Sequence, residues 1–238
     1  MFLSQLFEST TPKHAAFCFG RMNPPTVGHG QLINTVASAS QGGDYFVFVS
    51  QTQDKKKNPL NYATKVKFVQ ALFPEHAGHV VYDASIKTIM DVIHWLYANG
   101  YRNVTMVAGS DRISSFQDLL PKYNGVEGVN GAYYKFDSIN FVSSGERDPD
   151  ADGIAGVSAS SAREAASQGN LEAFAQATGA GKLAEPLYNA VRKGMLLECS
   201  GYIPKNKKEA KDPRWSNSLT VDIKPGAINK NLKALRLI

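Results

Sequence analysis

The sequence predicts an α/β fold, an open parallel sheet with helices on both faces and a small basic C-terminal appendage. Two observations carry this. Short apolar runs of strand length alternate with stretches whose apolar residues recur at helical spacing, the pattern of βαβ units. The helical stretches end at glycine, proline or asparagine signals, and no internal repeat competes with a single sheet. With 238 residues and 43% hydrophobic content, the chain can bury a sizeable core in one α/β domain.

The elements follow in order. Ala15–Phe19 is the first strand, and a helix runs from about Gly30 to Ser40, ending at Gly42-Gly43. Tyr45–Ser50 is the second strand. Asn61 is an N-cap for a helix over Tyr62–Phe73, closed by Pro74. His79–Tyr82 is the third strand. Ile86, Ile89, Ile93, Leu96 and Tyr97 mark a helix that stops at Asn99-Gly100. Val104–Ala108 and Ile139–Ser143 are the fourth and fifth strands, and helices are expected at Ser161–Gln168, Leu171–Ala177 and Lys182–Glu198. In such a sheet the ligand crevice lies at the carboxyl ends of the strands.

Composition narrows the function classes. No apolar run approaches the ~20 residues of a membrane span. Residues Met1 to Glu8 lack a basic n-region and a cleavage pattern, so a secretory signal is not expected. Cys18 and Cys199 suggest neither a disulfide framework nor structural zinc, and a reducing cytoplasm fits best. From Gly201 onward nine Lys/Arg face three Asp/Glu, so the tail carries about +6 against a total of +5, and the preceding 200 residues are close to neutral. Residues 1–200 read as the α/β domain and 201–238 as the appendage. Leu219–Ile223 alternates like a strand and Asn229–Leu237 is compatible with a short basic helix. The tail could pack on the domain, mediate homo-oligomerisation or touch nucleic acid, the last not favoured.

The most informative string is Phe19-Gly20-Arg21-Met22-Asn23-Pro24-Pro25-Thr26-Val27-Gly28-His29, between the first strand and first helix. Gly20 permits close backbone approach, while Pro24 and Pro25 fix φ and lack donors. His29 falls in a first helical turn, where open N–H groups and the helix dipole favour an anion. Its bland counterpart is an ordinary βα turn with a stray histidine. A second string, Gly156-Val157-Ser158-Ala159-Ser160-Ser161-Ala162-Arg163, puts hydroxyls and an arginine at another helix start, as N-caps, an anion seat, or both.

Together the strings resemble the signatures of the nucleotidylyltransferase superfamily. Thr26-Val27-Gly28-His29 is similar to the Thr-x-Gly-His form of the first signature. Gly156–Arg163 resembles the second, Ile-Ser-x-Ser/Thr-x-x-Arg. Gly20-Arg21-x-x-Pro24 looks most like archaeal-type nicotinamide-mononucleotide adenylyltransferases, which more often have His where Thr26 stands; phosphopantetheine adenylyltransferases share the threonine. The Lys-Lys-Asn-Pro-Leu loop and basic tail also look like cytidylyltransferase-like proteins of large tailed bacteriophages, for which the compartment would be the host cytoplasm. The resemblance spans about Ala15 to Thr178 and is thin between its two ends.

The resemblance implies a Rossmann-like fold that transfers a nucleoside monophosphate from a nucleoside triphosphate, ATP first, to a small phosphorylated acceptor and releases pyrophosphate. Nicotinamide mononucleotide, giving NAD, is the first-choice acceptor. Thr26, His29 and Arg163 are the implied catalytic residues, with His29 steadying charge on the α-phosphate. Gly20, Arg21, Met22, Asn23, Gly28, Ser158 and Ser160 would hold the nucleotide. Lys55, Lys56 and Lys57, as a mobile flap, and Gly109, Asp111 and Arg112 would meet the substrate. For the lysines the alternative is a solvated loop, and for Asp111 and Arg112 an N-cap and a surface arginine. Magnesium is expected, held mainly by phosphate oxygens, with no protein metal ligand. A CTP-dependent cytidylyltransferase and a catalytically idle nucleotide- or nucleic-acid-binding member of the fold are the alternatives.

Residues 124–131, with three glycines, read as a lid or a hairpin. Trp95 and His94 read as helix packing, and His14, His76 and His79 as structural.

Overall fold

In the computed structural model the described residues are 12–128, 131–145 and 158–196. The basic tail and residues 156–157 of the second string lie outside them. Five strands form one sheet: β1 (Lys13–Gly20), β2 (Asp44–Val49), β3 (Val80–Val81), β4 (Tyr101–Ala108) and β5 (Ser138–Ser143). Their order is β3-β2-β1-β4-β5, and every pairing is parallel. The fold is a Rossmann-like α/β sheet, as the alternation of patterns predicts.

Strand β1 shows why helices cover both faces. Ala15 and Phe17 point into one apolar cluster, with Val92, Ile93 and Leu96 of α3 (Ile89–Ala98) and Leu120 of α4 (Ser110–Lys122). Ala16 and Cys18 point into the other, with Ile33 and Val36 of α1 (Val27–Ala39) and Val66 and Val69 of α2 (Tyr62–Leu72). Period-two alternation in a strand assigns neighbours to opposite faces. Burial pushes the Cys18 thiol up to about 12, so it is an inert core group. A third cluster joins α5 (Ala159–Ser167), α6 (Leu171–Thr178) and α7 (Ala184–Gly194) to Phe68 of α2 and to Leu60.

Several expectations are corrected. Helix α1 starts at Val27, not Gly30, because Thr26 caps it in extended backbone (φ −138°, ψ 166°) and His29 returns a bond to the cap. Thr88 caps α3 after Ile86, so Ile86 packs from the preceding loop. Helix α4 is missing from the sequence expectation, although Ile113, Phe116, Leu119 and Leu120 all pack on the core. The Lys182–Glu198 helix is instead a 3₁₀ turn, Gly181–Leu183, followed by α7, which ends at Gly194.

Asn61 caps α2 as predicted, accepting from the Thr64 N–H at 2.9 Å. Residues 124–128 fold back on 132–136: Gly125 N donates to Tyr134 O at 2.8 Å and Gly128 N to Ala132 O at 2.7 Å. Trp95 packs edge-on against Phe46 and Phe48, and His94 contacts the Tyr134 ring. His14 bonds Thr105, His76 lies between Tyr45 and Asn34, and His79 bonds the Tyr45 carbonyl. No helix among the described residues is long and apolar enough to cross a membrane.

Candidate active site

The strand order changes direction between β1 and β4, which makes the carboxyl ends of these strands the place where sheets of this kind bind ligands. The first string leaves β1 at this point and Gly109-Ser110-Asp111-Arg112 leaves β4 beside it. Backbone bonds hold the loop starts together: Ser50 N donates to Gly20 O at 2.8 Å and Ser144 N to Ala108 O at 3.0 Å.

Thr26 and His29 are joined by hydrogen bonds at the start of α1. The Thr26 N–H donates to His29 Nδ1 at 3.0 Å, and Thr26 Oγ1 lies 2.9 Å from the same nitrogen. His29 N donates to Thr26 O at 2.9 Å. Because Nδ1 is an acceptor here, a neutral ring carries its proton on Nε2. Both side chains are buried. Val27 and Gly28 supply first-turn amides that have no carbonyl one turn back within the helix.

Arg163, one turn into α5, joins the two strings. Its Nη1 donates to Asn23 O at 2.8 Å and its Nη2 to Ser160 Oγ at 2.9 Å. Burial, and then the neighbouring Arg21 guanidinium, lower its pKa from the ordinary arginine value, against an opposite pull from Asp54. Arg21 is exposed, with no hydrogen bond or ion pair to described residues. Among the described residues neither guanidinium has a carboxylate at ion-pair distance, Asp54 acting on Arg163 only from further off, so an anion here would relieve their mutual repulsion. Ser158 caps α5, accepting from Ser161 N at 3.1 Å, while Ser160 stays exposed beside Arg163.

The remaining first-string residues divide by what they touch. Met22 has φ +44° and a fully buried side chain in the core, which leaves only its backbone for a ligand. At Gly20 a Cβ would meet only the Met22 side chain, at 3.5 Å, so the chain's own packing does not demand glycine there. Asn23 is 1% exposed and both polar atoms of its amide are bonded: Nδ2 donates to Leu60 O at 3.1 Å, and Oδ1 accepts from Leu60 N at 3.0 Å.

Lys55, Lys56 and Lys57 are exposed on a built turn. The Asp54 carboxylate accepts from Lys56 N at 2.9 Å, Lys57 N at 2.6 Å and the Asn58 amide, and Asp54 N donates to Asn58 O at 2.9 Å. Those donors, the Lys57 N–H first, hold the Asp54 carboxyl down to about 2. Gly109 is the N-cap of α4, with Asp111 and Arg112 exposed on its first turn. They lie at the same carboxyl end of the sheet as the first string, yet no hydrogen bond joins them to it.

Sequence reasoning missed Lys65. It sits on the apolar face of α2 with Val66, Phe68 and Val69, and its ammonium donates to the carbonyls of Ser50 and Thr52, the latter at 3.2 Å. Burial lowers its pKa to about 8. A lysine one turn before Val69 on a buried face was the available signal.

Neither a protein-family model nor a curated protein matches the chain. Among solved structures it is similar to the crystal structure of a candidate nicotinate-nucleotide adenylyltransferase from Vibrio parahaemolyticus, at 17% identity and a TM-score of 0.44, over 72% of this chain and 98% of that one. At that identity the likeness assigns no residue role and no substrate.

Proposed function

We propose that the protein is a nucleotidylyltransferase that moves a nucleoside monophosphate from a nucleoside triphosphate, ATP first, onto a small phosphorylated acceptor. The observation that carries this is Arg163, which hydrogen-bonds Asn23 and Ser160 and so brings the two strings to one place across 140 residues of chain. Arg21 adds a second guanidinium there. Nicotinamide mononucleotide, giving NAD, is the preferred acceptor on the strength of Gly20-Arg21-x-x-Pro24.

An acceptor phosphate oxygen attacks the α-phosphorus; the bond from that phosphorus to the bridging oxygen breaks, and pyrophosphate leaves with the electron pair. The nucleophile is already an anion, so what the protein must supply is in-line placement and neutralisation of charge. His29, with its proton on Nε2, is suited to donate to an α-phosphate oxygen, and Thr26 fixes the ring that does so. Arg163 and Ser160 are suited to the β- and γ-phosphates. The lysine turn and Arg21 would supply further positive charge.

Among the described residues no group of three or more His, Cys, Asp or Glu is gathered to hold an ion. Magnesium is proposed to arrive on the phosphate oxygens of the nucleotide, an ion that needs few protein ligands. Bound there, it would supply further neutralisation of phosphate charge.

The test is pyrophosphate release with magnesium, each of four nucleoside triphosphates, and nicotinamide mononucleotide, phosphopantetheine or phosphocholine as acceptor. His29→Ala is the control. Release only with ATP and nicotinamide mononucleotide is the expected result. Release with CTP and another acceptor replaces the substrates and keeps the chemistry. No release in any pairing, with no nucleotide binding by calorimetry, overturns the proposal.

A further inference from the structure

We infer that Asn23 is a positioning residue that sets the lysine turn and Arg163 at a fixed separation across the anion crevice, and does not itself contact the nucleotide. This rests on the reading of the crevice as a polyphosphate site. Both polar atoms of the Asn23 amide are taken up by the backbone of Leu60, in a reciprocal pair at 3.1 and 3.0 Å. Its main-chain carbonyl accepts from Arg163 Nη1 at 2.8 Å. At 1% exposure the side chain has no face left for a ligand.

The segment it holds is pinned at both ends to the first string. Ser50 N is bonded to Gly20 O at the start, and Leu60 to Asn23 at the end. Between them the Asp54–Asn58 turn is closed on its own carboxylate. The three lysines therefore ride on a segment whose far end is tied to the first string by one side chain, beside the apolar packing of Leu60 on α5. Without that tie the turn keeps its internal bonds, and its place relative to Arg163 is held by apolar packing alone, which fixes it less closely. An amide is the right group for such a tie, since it donates to one group of the backbone and accepts from another, whereas a carboxylate would only accept.

The test is a double-mutant cycle read by calorimetry, with inorganic triphosphate and magnesium as the probe. Four proteins are compared: wild type, Asn23→Ala, the triple variant Lys55→Ala/Lys56→Ala/Lys57→Ala, and the two combined. Loss of the reciprocal pair is expected to weaken triphosphate binding about tenfold in the wild-type background. In the lysine-free background the same substitution is expected to change it by less than about twofold, because the lysines it positions are gone. A general loss of structure would weaken both backgrounds alike.

Equal weakening in the two backgrounds overturns the positioning role and leaves the anion site standing. Failure of the wild-type protein to bind triphosphate overturns the anion reading and the inference with it. Circular dichroism checks the fold of each protein, and Asn23→Ser, too short to reach both atoms of Leu60, takes the place of the alanine variant if that one does not fold.

Discussion

Replacing Arg163 by alanine should damage folding and nucleotide binding by separable amounts. The bond from Nη1 to the Asn23 carbonyl is 2.8 Å and part-buried, and a charge-assisted hydrogen bond of that kind is worth ~1.5–3 kcal/mol. The bond from Nη2 to Ser160 is 2.9 Å and exposed, worth at most about 1 kcal/mol. Folding stability should then fall by ~1.5–4 kcal/mol, a drop in Tm of about 3–16 °C for a body of this size. Nucleotide binding loses a charge-assisted phosphate contact, so KM for the triphosphate should rise roughly 10- to 100-fold, with kcat changing much less.

Arg163→Lys keeps the charge but not the two-pronged donor geometry. It should recover part of KM and little of Tm. The assay is steady-state pyrophosphate release over a range of nucleotide concentrations, alongside melting curves. An alanine variant with the wild-type KM would refute a phosphate-binding role for this arginine, whatever its Tm.

Three further outcomes are expected. His29→Ala should lower turnover ~10²-fold or more, while His29→Asn, whose Oδ1 can stand in for Nδ1 at the Thr26 N–H, should restore the melting temperature without restoring turnover; near-normal turnover in either removes His29 from the chemistry. For Lys65 the folded state releases its proton near pH 8 and the unfolded chain near 10.5, so between them the unfolded state holds more protons and stability should rise with pH, by about 3 kcal/mol in all. Melting from pH 7 to 10 should show that rise in wild type and less of it in Lys65→Met, and matching curves would count against a buried ammonium. Gly179 has φ +65°, and a Cβ there would collide with Val27 Cγ1, so Gly179→Ala should cost ~2–4 kcal/mol in urea unfolding, with Val27→Ala recovering part of it.

The sheet was legible because its central strands carry apolar runs, and α2 because Asn61 is a cap with a readable side chain. What escaped was set by context. Two glycines in Val27-Gly28-His29-Gly30 look like turn, and the capping by Thr26 and His29 makes them helix. Helix α4 hides its apolar stripe among serines, charges and Pro121. Both strings of the candidate site could be read from sequence, but the contact of Arg163 with Asn23 spans 140 residues and no local pattern encodes it. Asp54 with Asn58 four residues on does encode a turn, and it was obscured by the three lysines between them.

The end of α7 lies against the end of the lysine turn: a Cβ at Gly194 would collide with the Pro59 carbonyl oxygen. Two residues later Leu196 is 67% exposed. That places a convenient attachment point for an optical reporter a short way from the segment that would respond to polyphosphate. Cys18 is sealed in the core with its thiol pushed up to about 12, so in a Cys199→Ser background a dye on Leu196→Cys would label one position. Ligand titrations could then be followed by emission, before any acceptor is known.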